Sequence, residues 1–371
     1  MLAGAGVATL ALQPLLAPRA EARRTPGVPL QPWVLPPEAP ATAVEQARAL
    51  ISAAVLAGSH WNAQPWRFEV EGASLRLLLD PQRTLPVTDP DQRASLMGLG
   101  AALEHVLVAA RAWGLRTTVR AFPADRPHHT VAEVGWTPGE PRRDRTLFPA
   151  IVERRTNRRD YDGRAILMEH AAQLAMQASD GFHLHWADDR GTLHALADAA
   201  HDATRARVMD RRAEAECWAW VRTDDDDVRR GDGISTEALG LSGPVRWFAT
   251  RWFDARGHFL RVGAGSLAHT VRDAVRSSGA LAVLGASGRG ESAWLTAGQV
   301  YARFALKATQ LGLAYQPLDV LVSHAPARAE LAGRLGLGGD EPLMAFRIGH
   351  AQPVPATPRR AVSLVASFRT S

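Results

Sequence analysis

Apolar residues recur at helical spacing over residues 43–57, at Val44, Ala47, Leu50, Ile51, Ala54 and Val55, and predict an amphipathic helix. The period then changes. Residues 67–71 and 75–79 read as strands around Gly72, a β-hairpin pattern. Residues 98–115 return to the helical period in a long apolar-faced helix, with Gly114 placed as its C-cap. A strand over 116–122 follows. Residues 123–146 are rich in proline and charge and read as a connection between two halves. A short helix over 147–154 opens the second half. The wholly apolar run 280–284 predicts a buried strand, 296–313 a second long helix ending at Gly312, and 341–350 a further strand.

The two long helices match at a constant offset of 198: Leu99-Gly100 with Ala297-Gly298, Ala110 with Ala308, and Gly114-Leu115 with Gly312-Leu313. The agreement supports an internal duplication. Two unrelated amphipathic helices that share a glycine cap would give part of the same pattern. Residues 186–278 fit neither repeat. They look irregular, with the acid run Asp224–Asp227 and Trp218, Trp220, Trp247 and Trp252, and form a candidate insertion and a candidate lid.

Composition narrows the class. The 371 residues are 46% hydrophobic and 22% charged, which is globular usage with room for a sizeable core. The net charge of +5 comes almost entirely from arginine, Lys307 being the only lysine. Basic and acidic residues are interspersed with no basic block, which argues against nucleic-acid binding. Cys217 is alone, so no intrachain disulfide forms. Residues 1–22 carry an apolar run and an Ala-Glu-Ala end, as in an export signal, without a basic start. Export to the periplasm is the expectation if this is the remnant of a twin-arginine signal, and a cytoplasmic place if it is an alanine-rich arm. Residues 23–42 read as a proline-rich linker or wrapped arm. No later run reaches the eighteen apolar residues of a membrane span.

Two segments carry candidate chemistry. In Glu153-Arg154-Arg155-Thr156-Asn157-Arg158-Arg159, three guanidiniums (Arg154, Arg155, Arg158) and the Thr156 hydroxyl fall within five residues. Arginine's planar fork suits a phosphate dianion. Cations closing a short helix would also complement its dipole. In Ser59-His60-Trp61-Asn62-Ala63-Gln64-Pro65-Trp66-Arg67-Phe68, the Asn62 and Gln64 amides can match a donor–acceptor edge of a heterocycle, with Ser59 and His60 adding further bonds. The same residues also suit a helix-to-strand turn. Near the C-terminus the pair Arg359-Arg360 follows a proline-containing loop. Gly285-Ala286-Ser287-Gly288-Arg289 departs from a nucleophile elbow at Arg289. His183 and His185 share a strand face with no third metal ligand at a matching spacing.

The second of these segments resembles the S-x-x-N-x-Q-P-W-x-F stretch of the nitroreductase-like FMN oxidoreductases, and the first resembles their R-R-[ST]-x-[RK] flavin-phosphate motif. The resemblance covers roughly 45–122 and 147–365. In ordinary members the basic motif precedes the Asn-x-Gln-Pro-Trp segment, and both recur in each subunit of a homodimer. Here the order is inverted and each occurs once, as in the tandem Acg type. The resemblance therefore implies two fused half-units, 43–122 and 147–371, that form one site and act as a monomeric pseudo-dimer. It implies an α+β, three-layer αβα fold with a mostly antiparallel sheet. It implies FMN bound by Ser59, His60, Asn62, Gln64, Arg154, Arg155, Thr156, Arg158, Gln316, Pro317, Arg359 and Arg360. Hydride would pass from NAD(P)H to flavin N5 and then to a nitro compound, a quinone or another small acceptor. No protein acid or base is named, since the flavin carries the chemistry. The alternative is a protein that binds or sequesters FMN with little turnover.

Overall fold

A computed structural model of the chain describes residues 33–125, 127, 129–139, 144–239 and 260–369. The expected export signal, Trp247 and Trp252 lie outside the described residues. The helices of eight residues or more are α1 (Ala43–Ala54), α2 (Arg93–Ala112), α3 (Met168–Ala175), α4 (Arg190–Met209), α5 (Arg211–Trp218), α6 (Leu260–Arg276), α7 (Glu291–Gln310) and α8 (Ala325–Leu335). The strands are β1 (Trp66–Glu71), β2 (Ser74–Leu79), β3 (Leu115–Ala121), β4 (Thr130–Pro138), β5 (Phe182–Ala187), β6 (Val221–Arg222), β7 (Ile234–Ser235), β8 (Ala280–Ala286), β9 (Ala314–Pro317), β10 (Glu341–Gly349) and β11 (Ala366–Arg369).

The fold is α+β with two principal sheets. The first runs β11-β1-β2-β4-β3 and the second β5-β8-β10-β9, and β6 pairs with β7 in a small parallel ribbon. Every pairing within β1-β2-β4-β3 and within β5-β8-β10-β9 is antiparallel; only β11 lies parallel, beside β1. The two sheets share one strand order, with a long helix after the second strand of each: α2 after β2, α7 after β8. The tight turn of Gly72 and Ala73 between β1 and β2 is replaced, between β5 and β8, by residues 188–279.

Alternation sets the layers. In β8, Ala280, Ala282, Leu284 and Ala286 face the core that also holds α1, α2 and α7. Leu281 and Val283 face a second core with Leu193, Leu196, Ala197 and Ala200 of α4, Val275 of α6, and Ala327 and Leu331 of α8. The second sheet is thus the middle of an αβα sandwich. The outer face of the first sheet carries charge instead, with Glu69, Arg76, Glu133 and Arg120 opposite one another across neighbouring strands. Arg76 pairs with Glu69 at 2.6 Å and Arg120 with Glu133 at 3.1 Å.

The long helices cross at their matched glycines. A Cβ on Gly100 would stand 2.0 Å from the Leu295 carbonyl oxygen, and one on Gly298 would stand 2.1 Å from that of Met97. Met97 and Leu295 are themselves related by the offset of 198, so the contact is reciprocal. Only glycine lets the two backbones approach this closely. α2 is also the described helix long and apolar enough to cross a membrane, at mean hydropathy 1.2, yet 89% of that stretch is buried in the protein.

Three expectations need correction. The connection expected over 123–146 contains β4, whose Val131, Ala132, Val134 and Trp136 are buried in the first sheet; prolines on either side masked its alternation. The insertion expected over 186–278 is not irregular where it is described: α4 and α6 form the outer layer of the second sheet, and Trp186 belongs to β5. The helix expected over 147–154 is a single turn, Ala150–Glu153. The proline-rich arm wraps the body from residue 33 onward, where Trp113 Nε1 donates to the Pro36 carbonyl (3.1 Å) and Gln46 Nε2 to that of Pro40 (2.9 Å). Thr42 then caps α1 in a capping box with Glu45.

Candidate functional site: an arginine cleft

The turn between α1 and β1 is conformationally unusual. Trp61, Asn62 and Gln64 all take positive φ, at 49°, 53° and 54°. Such backbone costs of order 1 kcal/mol or more per residue outside glycine and needs fixed partners. Ser59 Oγ accepts from the Gln64 amide at 3.0 Å, and the Asn62 amide donates to the Ser59 carbonyl. Beyond the turn, Trp66 and Phe68 are buried in the core.

Across the cleft stands the basic segment. After the single turn Ala150–Glu153 the chain is extended, and Arg154 reaches inward at 3% exposure. Its Nη1 donates to the Tyr315 hydroxyl at 2.7 Å and its Nη2 to the Leu56 carbonyl at 3.3 Å. Arg158 Nη1 donates to the Ala238 carbonyl at 3.2 Å. Arg359 arrives from the C-terminal loop, 6% exposed, with Nη1 on the Thr357 hydroxyl (2.6 Å). Gly58, Ser59, Asn62, Arg154, Arg155, Thr156, Arg158, Ile234, Pro355, Thr357 and Arg359 line one cleft, so segments about ninety and three hundred residues apart share it.

The electrostatics are one-sided. Among the described residues no carboxylate pairs with Arg154, Arg155, Arg158 or Arg359 at salt-bridge distance. Burial, and for Arg155 the adjacent Arg154 charge, push Arg155 and Arg158 down to about 10, which leaves both charged at neutral pH. Burial and then the Arg154 and Arg155 charges push Arg359 well below the usual arginine range. Arg154 Nε, Arg359 Nε and Asn62 Oδ1 are buried without a protein partner. Buried donors without partners in a field of uncompensated positive charge are what a polyanion would satisfy.

The amides are placed differently. Gln64 is fully buried and outside the cleft; its Nε2 donates to the Gly231 carbonyl (2.7 Å) and its Oε1 accepts from the Arg360 amide (3.1 Å). Asn62 lines the cleft, but its Nδ2 donates to the carbonyls of Gly233 (2.8 Å) and Pro358 (3.3 Å). Both amides therefore hold the inserted segment around residues 231–233 against the turn. Asp232 reinforces this: it accepts from Arg222 at 2.7 Å and pairs with Arg83. Glu216 accepts from the amides of Val87 and Thr88, each at 2.8 Å.

The remaining sequence candidates lie off the cleft. His60 sits edge-on to Trp61, with ring centroids 6.5 Å apart. The Arg360 side chain turns out to the Leu364 carbonyl at 2.9 Å. Gln316 and Pro317 are on β9, where Gln316 Oε1 accepts from Arg347 Nε at 2.8 Å. Arg347, fully buried, also donates to the carbonyls of Ala274 and Arg159 and covers the Tyr161 ring at 3.9 Å, so it is internally satisfied. His183 and His185 both meet Asp340 Oδ2, at 2.7 and 3.0 Å. Sequence reading missed Gly58, Ile234 and Thr357, which no motif marks, and the bond from Arg154 to the Tyr315 hydroxyl.

Comparison with known proteins agrees with the motifs. The chain is 29% identical over 336 residues to a Mycobacterium tuberculosis protein named "Putative NAD(P)H nitroreductase", covering 87% of this chain and 92% of that one. It is 27% identical over 339 residues to "Putative NAD(P)H nitroreductase acg" of the same organism, covering 87% and 95%. It is 26% identical over 328 residues to "Probable NAD(P)H nitroreductase PigM" of a Serratia species, covering 84% and 90%. Among solved structures, the FMN-dependent nitroreductase NfnB from Mycobacterium smegmatis in complex with NADPH shares 17% identity over 61% of this chain and 98% of that chain, at a TM-score of 0.41. No family model matches. Motifs and homologues together make this chain nitroreductase-like over most of its length.

Proposed function

We propose that the chain is an FMN-dependent oxidoreductase of nitroreductase type. The observation that carries this is the arginine cleft, where four guanidiniums from two distant segments meet with no carboxylate partner among the described residues and two of them keep a buried Nε free. A flavin phosphate fits that donor set in charge and in hydrogen-bonding character. Arg154, Arg155, Arg158 and Arg359, with the Thr156 hydroxyl, would hold the phosphate, and Asn62 Oδ1 would accept from the bound molecule. Bound FMN would supply hydride transfer from NAD(P)H to a nitro, quinone or other small acceptor. The chain's own part is to bind and orient: the buried cations fix the anionic end, and the Ser59–Gln64 turn walls the cleft opposite them.

The same reading takes the shared strand order and the reciprocal Gly100–Gly298 contact as the mark of an internal duplication. Each half then brings one motif to a single site, and the chain works as a monomeric pseudo-dimer. The absorbance spectrum of protein incubated with FMN and desalted is the test. A retained flavin band that NADPH removes in the absence of oxygen supports the reading; colourless protein overturns it.

One observation favours a second reading, FMN binding with little turnover: the inserted segment 231–233 covers the turn and engages both motif amides. A steady-state assay with NADPH and a nitroaromatic or quinone separates the two.

A further inference from the structure

Trp33 lies in the proline-rich arm, outside both motifs, yet its indole faces two arginines of the cleft. Arg155 Cζ stands 4.1 Å from the ring centroid and Arg359 Cζ 5.1 Å. The indole Nε1 donates to the Thr357 carbonyl at 2.9 Å, on the loop that also receives Arg359 Nη1. The ring thus joins the basic segment of residues 154–158 to the loop at 355–359.

We infer that Trp33 is a positioning residue of the anion site: it holds Arg155 and Arg359 against its ring, Arg155 Nη1 is tied to the Val152 and Arg154 carbonyls and Arg359 Nη1 to Thr357, and the remaining N–H groups, Arg359 Nε among them, are left for the ligand. The inference rests on the reading that this cleft takes the phosphate of a flavin nucleotide. Two like charges brought together in a partly buried place need a stabilising neighbour. A carboxylate would serve, but it would occupy the same N–H donors that a phosphate needs and would repel the phosphate itself. An aromatic face attracts a guanidinium through its quadrupole, neutralises nothing and accepts no in-plane hydrogen bond. The bond from Nε1 to Thr357 fixes the ring's orientation, so the aromatic face is aimed as well as present.

The test compares FMN with riboflavin, which has the same ring system and no phosphate. Dissociation constants for both are measured by flavin-fluorescence titration on the full chain, for wild type, Trp33→Leu and Trp33→Phe. Trp33→Leu should weaken FMN about tenfold and leave riboflavin unchanged, lowering the preference for the phosphorylated ligand by the same factor. Trp33→Phe keeps an aromatic face without the Nε1 donor and should recover most of the loss. The inference is overturned if Trp33→Leu binds FMN as wild type does, or loses FMN and riboflavin equally. Should the leucine variant fail to fold, Trp33→Phe decides alone: a loss of FMN affinity of about two- to threefold that spares riboflavin supports the inference, and FMN binding equal to wild type or a loss common to both flavins overturns it. Wild-type protein that binds no FMN refutes the reading of the cleft itself, a result distinct from wild-type binding that ignores Trp33.

Discussion

Within the Ser59–Gln64 turn, the Ser59 hydroxyl and the Asn62 and Gln64 NH2 groups have partners that their spacing alone did not disclose. The motif placed Asn62 beside the cleft, but the carbonyls that its amide meets come from residues 233 and 358, and no local pattern announces them. Arg158→Ala should weaken FMN binding about ten- to a hundred-fold, the loss of a charge-assisted bond of roughly 1.5–3 kcal/mol, measured by titration. Asn62→Ala should act mainly on stability, lowering it by about 1–3 kcal/mol in urea melts, because it leaves a buried carbonyl unpaired. His105 offers a pH test. Burial, then the Arg154 charge, lowers it from 6.5 to about 3, while its Nδ1 is bonded to the Ala53 carbonyl at 3.0 Å. The folded state thus holds the ring neutral, so its contribution is fully present above pH 6.5 and is lost as pH falls towards 3. The unfolded chain takes up the proton first in that window, at a cost to stability of about 4–5 kcal/mol by its lower end. His105→Gln should flatten the acid limb of the melting-temperature profile; an unchanged slope would count against this.

At the scale of elements, the long helices were legible because their glycines punctuate a strong period. β4 was not, since four buried apolar positions between prolines and charges resemble a loop. The outer helical layer escaped because α4 has a polar average and buries only a narrow stripe. The helix crossing predicts its own mutational pattern. Gly100→Ala and Gly298→Ala should each cost about 3 kcal/mol or more, since backbone oxygens stand where the methyl must go. Gly265→Ala in α6, with nothing within 4 Å of its added Cβ, should be neutral or stabilising by about 0.5–1 kcal/mol. Equal costs at all three positions would refute the close crossing. The inserted segment is tied down by Asp232, Gln64 and Asn62, so it does not match the expectation of a loose lid. The amides of Gly233, Ile234 and Thr236, which donate to Asn62, Trp220 and Arg222, should resist hydrogen exchange even without FMN.

For the whole molecule, the inverted motif order was the readable clue to a shared site, whereas the partners that close the site come from the insertion and the wrapped arm, which have no motif. On the proposed reading of a fused pair, the contact between the two units is already buried in the α2–α7 crossing. The outer face of the first sheet is charged and cross-paired, a poor surface for a second copy. Light scattering at micromolar concentration should therefore give the mass of one chain, and FMN titration one equivalent per chain. Two equivalents, or FMN binding by either half expressed alone, would dismantle the split site.

β11 adds a constraint in time. It pairs with β1 in parallel, Phe68 beside Ala366 and Glu71 beside Arg369. The first sheet cannot be completed until residue 369 has left the ribosome, and until then β1 is an open edge able to recruit a strand from another nascent chain. The closing strand is synthesised about three hundred residues after the edge it covers. The first sheet must wait, partly folded, while the rest of the chain is made, and chaperone demand should fall when a strand equivalent to β11 is moved ahead of α1 by circular permutation.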